Sequence, residues 1–292
     1  MALFEFQWGL FFKFQINDKE RCGMSPAPQW RGLLLALLLV NNTPAWADYV
    51  LNMTRGVTEI SRGVHHLHML IFWICVVIGA AVFSVMFYAI IRHRKSCGRT
   101  AAHFHENTVV EMIWTVIPFT ILILMAIPAA ELLIKMHDYT DSDLSIKVTG
   151  HQWYWEYEYM GEGITIVSRL ATPQDQIQNR AVKGPHYLRE VDNPLIVPEK
   201  KKIRFLTTSS DVIHSWWVPA LGFKRDAIPG FINEAWARID DIGTLRGQCA
   251  ELCGALHGFM PIVVEVKTEA EFATWLAAQK AALNTPATGS TP

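Results

Sequence analysis

The 292-residue chain is poor in charge: Asp, Glu, Lys and Arg make up 18% of it, and 26 basic against 27 acidic residues leave a formal net charge of −1. No basic stripe interleaved with aromatic residues occurs, so the pattern offers no case for a nucleic-acid interface. Cysteine is scarce as well. Residues 22, 75, 97, 249 and 253 are too few and too scattered for a disulfide framework. There is no C-x-x-C-H motif, which excludes the usual covalent haem attachment, and there is no internal repeat. What the chain has in excess is apolar surface. Hydrophobic residues are 51% of the total, high for a wholly soluble protein, and the excess sits in three stretches.

The first stretch, "RGLLLALLLV", opens with Arg31 and leads through "NNTPAWA" to Ala47. A basic residue, a short apolar run and small residues before a cleavage point make a secretory signal, with cleavage after Ala47. The run is too short to span a bilayer, which needs roughly 20 residues. A peptide starting at Met24 has the proportions of a signal sequence. Residues 24–47 are therefore expected to be the signal peptide and residues 1–23 an over-extended start, together a presequence at 1–47.

The other two runs are longer. Met69 to Ile91 contains no charge, and Met112 to Ala130 is interrupted only by Pro118 and Pro128. Each is long enough for one membrane-spanning helix, and proline is tolerable in a span where neighbouring helices satisfy the freed carbonyls. Arg92, Arg94, Lys95 and Arg99 lie between the runs, whereas Glu131, Asp138, Asp141 and Asp143 follow the second. The positive-inside rule puts the connecting loop, 92–108, in the cytoplasm. Both mature termini then lie outside, in agreement with the signal peptide. The expected organisation is an exported segment at 48–68 and a two-helix transmembrane hairpin at 69–133. Neither span has an interior histidine, so the pair offers no axial ligands for a haem. Glu111, at the cytoplasmic start of the second span, reads either as an interfacial charge in water or as a proton-relay carboxylate, since ionisable groups at membrane depth are usually functional.

From Leu144 to about Lys267 the pattern changes to short β-branched and aromatic runs separated by turn residues: "LSIKVTG", "HQWYWEYEYM", "GITIVS", "NPLIVP", "KIRFLTTS", "DVIHSWWVP", "FINEAWARI" and "MPIVVEVK". These predict an all-β sandwich or barrel over 144–268. A closing helix is expected at 269–283 and a low-complexity tail at 284–292. In "HQWYWEYEY" the alternate residues His151, Trp153, Trp155, Tyr157 and Tyr159 form an aromatic face, read first as a core face.

The densest chemistry is "GQCAELCGALHGFMP", residues 247–261. Three readings compete for Cys249-x3-Cys253-x3-His257-x2-Met260. A disulfide suits an oxidising compartment but leaves His257 and Met260 unexplained. Zinc accepts thiolates and imidazole but has little use for a thioether. Thiolate, imidazole and thioether together form a soft set that selects copper, and His214 in "DVIHSWWVP" is the best candidate for a second imidazole. A mononuclear blue-copper site uses one cysteine. Two cysteines can instead bridge two copper ions, which favours copper without closing the other readings.

The blocks "EMIWTVIP", "GHQWYWEYEY", "DNPLIVP", "DVIHSWWVPALGFKRDAIPG" and "GQCAELCGALHGFMPIVV" make the chain, from about Asp48 to Ala282, similar to subunit II of the bacterial cytochrome c oxidases of the haem–copper family. That resemblance implies an N-terminal transmembrane hairpin, a cupredoxin-like Greek-key β-barrel and a short C-terminal helix. It implies a dinuclear copper A centre held by His214, Cys249, Cys253, His257, Met260 and the backbone carbonyl of Glu251. The Glu251 carboxylate would face a magnesium or manganese ion shared with the catalytic, haem-bearing subunit I. Trp153 would be where electrons arrive from cytochrome c, docked on an acidic surface including Glu158 and Asp211. Glu111 would mark the cytoplasmic mouth of a proton pathway. The implied activity is electron transfer within a proton-pumping terminal oxidase that reduces oxygen to water. The implied location is the bacterial inner membrane, with the copper domain on the periplasmic side beside the other oxidase subunits. Against this stand two other classes of reading: a copper-delivery protein with exposed, under-coordinated ligands, and a disulfide-closed assembly module.

Overall fold

The computed structural model describes residues 52–98, 100, 103 and 105–284. The expected presequence at 1–47, residues 48–51 and the tail at 285–292 lie outside the described residues. The chain divides into two compact units, one containing residues 79–103 and the other residues 52–78 and 105–284.

Two long helices come first, α1 (Glu59–Arg92) and α2 (Thr108–Met136). Both are long and apolar enough to cross a membrane. Between Met69 and Ile91 on α1 and between Met112 and Ala130 on α2 no side chain is charged, and large apolar ones such as Val77, Val85 and Phe119 are exposed. A helix without a polar face has no place in water, and lipid is the solvent that accepts it. Asn107 caps α2 by accepting the Val110 N–H at 3.2 Å, and the Asn107 N–H donates to the Glu111 carboxylate at 3.3 Å. α2 continues through Pro118 and Pro128.

The start of α1 is fixed to the domain that follows. Thr58 and Ser61 exchange hydroxyl–amide bonds at 2.9 Å in both directions, satisfying two free donors of the first turn. The Thr58 hydroxyl also donates to Leu221 O at 2.9 Å, and Arg62 pairs with Asp240. The end of α2 is tied to the same domain, the Trp236 indole donating to Lys135 O at 3.0 Å, while Lys135 pairs with Glu59 of α1.

The domain is a sandwich of two five-stranded sheets. One runs β3 (Ile164–Ser168), β2 (Tyr154–Tyr159), β1 (Leu144–His151), β5 (Lys202–Ser209), β8 (Asn233–Arg238). The other runs β4 (Leu195–Pro198), β10 (Pro261–Lys267), β9 (Gly243–Cys249), β6 (His214–Val218), β7 (Phe223–Ala227). The β1–β5 and β4–β10 pairs are parallel and the rest antiparallel. A short helix α3 (Gln174–Ile177) lies in the polar loop after β3, and α4 (Glu269–Asn284) follows β10. This is the cupredoxin-like fold with two N-terminal helices and a closing helix.

The core is aromatic. Trp155, Tyr157 and Tyr159 of β2, Phe205 of β5 and Trp216 of β6 are all fully buried, with Phe205 and Trp216 rings stacked 5.0 Å apart. The buried polar ends find partners, the Tyr159 hydroxyl donating to Ile196 O at 2.7 Å and the Trp155 indole to Met260 O at 3.3 Å. α4 covers one end through Phe272 and Trp275 against Tyr159.

The structure differs from the sequence reading in two places. The run "HQWYWEYEYM" is not one strand: β1 ends at His151, Gln152 and Trp153 turn, and β2 begins at Tyr154, so the aromatic face is a core face only from Trp155 onward. Strands β7 and β9 are the two that the residue pattern does not announce. β7 carries Lys224, Arg225 and Asp226 between two buried ends, and β9 carries two glycines, so neither has a β-propensity signature.

Candidate metal centre

Three elements meet at one end of the sandwich. β6 begins with His214, fully buried, and β9 ends with Cys249, and their pairing sets Trp216 opposite Cys249. The loop from Ala250 to Leu256 is held to β6 by the Ala250 N–H donating to Ser215 O at 3.0 Å. It returns through a 3₁₀ turn at His257–Phe259 to Met260, buried at the head of β10.

These elements converge five donor side chains. Cys249 Sγ and Cys253 Sγ are 3.9 Å apart and not bonded to each other. His214 Nδ1 lies 3.9 Å from Cys249 Sγ, and His257 Nδ1 lies 3.5 Å from Cys253 Sγ. Met260 Sδ is 3.5 Å from Cys253 Sγ, and the Glu251 backbone oxygen is 3.4 Å from Cys249 Sγ. The donor atoms of His214, Cys249 and Cys253 all lie within 4.8 Å of one another. The Glu251 side chain is exposed.

The electrostatics of the pair favour a cation. Burial works against ionising either thiol. At Cys249 the His214 ring and the backbone donors around the sulfur outweigh it and bring the thiol down to about 7. At Cys253 burial and the neighbouring Cys249 push the thiol up to about 12. The pair sheds one proton readily and resists losing the second, because two thiolates 3.9 Å apart repel each other. A soft cation between them removes that repulsion, and two sulfurs, two imidazoles and a thioether are the ligands copper prefers. The residues fit copper, and the two sulfurs lie side by side without a bond between them.

Around the donors lies a second set of bonds that the sequence reading did not foresee. Asp211 was expected on a docking surface. Its Oδ1 accepts from His214 Nε2 at 2.8 Å and from Val212 N–H at 2.6 Å, and its Oδ2 accepts from Gln152 N–H at 2.7 Å. With Nε2 held by a carboxylate, Nδ1 is the ring nitrogen His214 turns toward Cys249, as in carboxylate–histidine–metal arrangements. The i, i+3 spacing of Asp211 and His214 was the available signal. Burial opposes the trend at His214, yet the Cys249 and Asp211 bonds leave its pKa above the ordinary value. Trp153 is half-buried, and its indole N–H donates to Cys253 O at 3.1 Å. Gln152 Nε2 donates to the same carbonyl at 2.9 Å. Gly254 makes room for both: its φ is +114°, and a Cβ there would meet Gln152 Nε2 at 3.1 Å and Trp153 Cζ2 at 3.2 Å. Glu158, the other expected docking acid, pairs with Lys147 at 3.2 Å. Glu111 belongs to a different region, in the first turn of α2.

A membrane-anchored cupredoxin-like domain that brings two thiols, two imidazoles and a thioether together belongs to the class of copper-binding electron-transfer proteins. Comparison with known proteins makes this specific. Residues 144–267 match the cytochrome c oxidase subunit II periplasmic domain, and residues 46–132 match the transmembrane domain of the same subunit. A probable cytochrome c oxidase subunit 2 of Rickettsia conorii is 40% identical over 229 residues, covering 78% of this chain and 71% of that one. Its counterpart in Rickettsia prowazekii is 36% identical over 258 residues, covering 86% and 81%. The solved periplasmic domain of cytochrome oxidase subunit II from Bradyrhizobium japonicum is 44% identical over 49% of this chain and 96% of that one, with a TM-score of 0.44. The chain belongs to the cytochrome c oxidase subunit II family. It is a membrane-anchored electron-transfer subunit of a haem–copper oxidoreductase complex, and its family carries copper.

Proposed function

We propose that His214, Cys249, Cys253, His257 and Met260, with the backbone oxygen of Glu251, hold a dinuclear copper A centre that receives electrons from cytochrome c. The observation that carries this reading is the pair of unbonded thiols 3.9 Å apart, each with an imidazole Nδ1 beside it. When bound, the copper pair supplies a one-electron redox couple shared across both sulfurs. The protein's part is to fix the donors on rigid strands and keep water away, which Met260 and the buried Trp155 and Trp216 do. Fixed donors leave little to rearrange when charge changes, and preorganisation of this kind favours fast transfer.

Trp153 is the surface group through which the electron passes inward, because its indole is both accessible and bonded to the carbonyl of a thiolate residue. The exposed Glu251 side chain, on the residue whose carbonyl faces Cys249, is placed to meet a magnesium or manganese ion shared with subunit I, the haem-bearing subunit that takes the electron onward. The positive charge of the loop between α1 and α2 supports a cytoplasmic loop and a sandwich on the periplasmic side of the inner membrane. Glu111, at the cytoplasmic end of α2, then stands at the mouth of a proton pathway. The test is electron paramagnetic resonance of the copper-loaded oxidase. One unpaired electron shared equally between two copper nuclei is expected, and a mononuclear signal from this subunit refutes the assignment.

A further inference from the structure

The geometry points to Gln152 as a positioning residue that locks Trp153 in register with both arms of the metal-ligand set. Gln152 sits in the β1–β2 turn and makes two bonds in different directions. Its backbone N–H donates to Asp211 Oδ2 at 2.7 Å, and the other oxygen of that carboxylate accepts from His214 Nε2 at 2.8 Å. Its side-chain amide donates to Cys253 O at 2.9 Å. One residue thus links the His214 arm from β6 and the Cys253 arm from the β9–β10 loop, and the next residue in the chain is Trp153.

The Cys253 carbonyl accepts from the Gln152 amide and the Trp153 indole together, at 2.9 and 3.1 Å. Neither donor alone defines the indole's position against the loop. A single N–H···O bond still permits the ring to pivot about it. The second donor, attached one residue earlier on a backbone pinned at Asp211, removes that freedom. Gly254 shows how close the fit is, since a Cβ there would meet both side chains inside ordinary contact distance. Gln152 is exposed, and its bonds go to the Cys253 carbonyl and the Asp211 carboxylate, not to a donor atom of the five side chains. Their effect falls on the alignment of the indole with Cys253, which governs transfer through Trp153.

This inference rests on Trp153 being the point at which electrons enter, so the experiment tests both. In the assembled oxidase, Gln152→Leu and Gln152→Met keep the bulk of the side chain, lose the donor and retain the backbone bond to Asp211. Trp153→Phe runs in parallel. Stopped-flow mixing with reduced cytochrome c gives the limiting rate of copper reduction and the half-saturating cytochrome c concentration separately. Copper content and the paramagnetic resonance spectrum are read on the same samples. Misplacing a reacting group by about 1 Å can cost a factor of about 100, so loosening one of two bonds should lower the limiting rate by roughly threefold to tenfold. The half-saturating concentration stays within twofold and copper stays at full occupancy. A raised half-saturating concentration with an unchanged rate overturns the inference, making Gln152 a docking contact. Loss of copper in both Gln152 variants also overturns it, making Gln152 a support of the site as a whole. If Trp153→Phe slows reduction and the Gln152 variants do not, the inference alone fails. If Trp153→Phe leaves the rate intact, the reading beneath it fails as well.

Discussion

Removing the Asp211 carboxylate should weaken copper binding and fold stability together, because its two oxygens serve the His214 ring and the turn before Trp153. In Asp211→Ala the His214 Nε2–H loses its partner while the ring stays fully buried. An unsatisfied buried donor costs about 1–3 kcal/mol. The amides of Gln152 and Val212 lose their acceptor as well, but Gln152 is exposed and water can replace the oxygen there. A net loss of about 2–3 kcal/mol follows, and for a chain of this size each kcal/mol lowers Tm by roughly 2–4 °C. Copper affinity suffers separately, since the ring is then free to present the wrong nitrogen, and losing such a partner typically costs about 10- to 100-fold in metal affinity. Asp211→Asn separates the contributions. Its one oxygen and one NH2 can satisfy His214 or the Gln152 amide but not both, so it should fall between wild type and Asp211→Ala on both measures. Copper competition with a chelator and thermal unfolding of the detergent-solubilised subunit give the two numbers. If Asp211→Ala keeps copper affinity within about twofold and Tm within about 1 °C while the ionic-strength dependence of cytochrome c reduction changes, Asp211 is a docking acid and the positioning argument is wrong.

Two further outcomes follow from the same geometry. Gly247→Ala would put a Cβ 2.2 Å from Trp217 O, so β9 must move from β6 and carry Cys249 away from His214. Overpacking of this kind costs about 1–3 kcal/mol, and calorimetry should show a lowered Tm with reduced copper retention; an unchanged Tm would mean the β6–β9 spacing is loose. Glu251→Gln leaves its backbone oxygen beside Cys249 Sγ in place and alters only the exposed carboxylate. The copper resonance should persist while bound manganese falls in the assembled oxidase, and loss of the copper signal would place the side chain in the copper site instead.

Legibility in the sequence followed a physical line. The spans could be read because lipid tolerates no polar face, and a charge-free run of that length suits almost no other solvent. The five donor side chains could be read because their atoms are chemically unlike anything a β-core requires, so Met260 beside His257 had to be accounted for. β7 and β9 were silent for the opposite reason. What makes them strands is that β6 lies between them with its backbone groups unpaired, a tertiary cause that overrides charged residues in β7 and glycines in β9. The bonds that Gln152, Trp153 and Asp211 make to the cluster were not foreseen, for a related reason. In "HQWYWEYEY" the period-2 alternation runs unbroken through residues that in space form a turn, because aromatic residues suit a buried strand and a packed turn equally well. Asp211 is exposed as expected, but its bond to His214 was not foreseen, because the i, i+3 spacing alone does not fix which way the carboxylate points. The sulfur and imidazole side chains that the fold brings together were therefore suggested by their chemistry. The bonds that aim them depend on a turn in β1–β2 meeting a loop after β5 about 60 residues later, and only the fold brings those together.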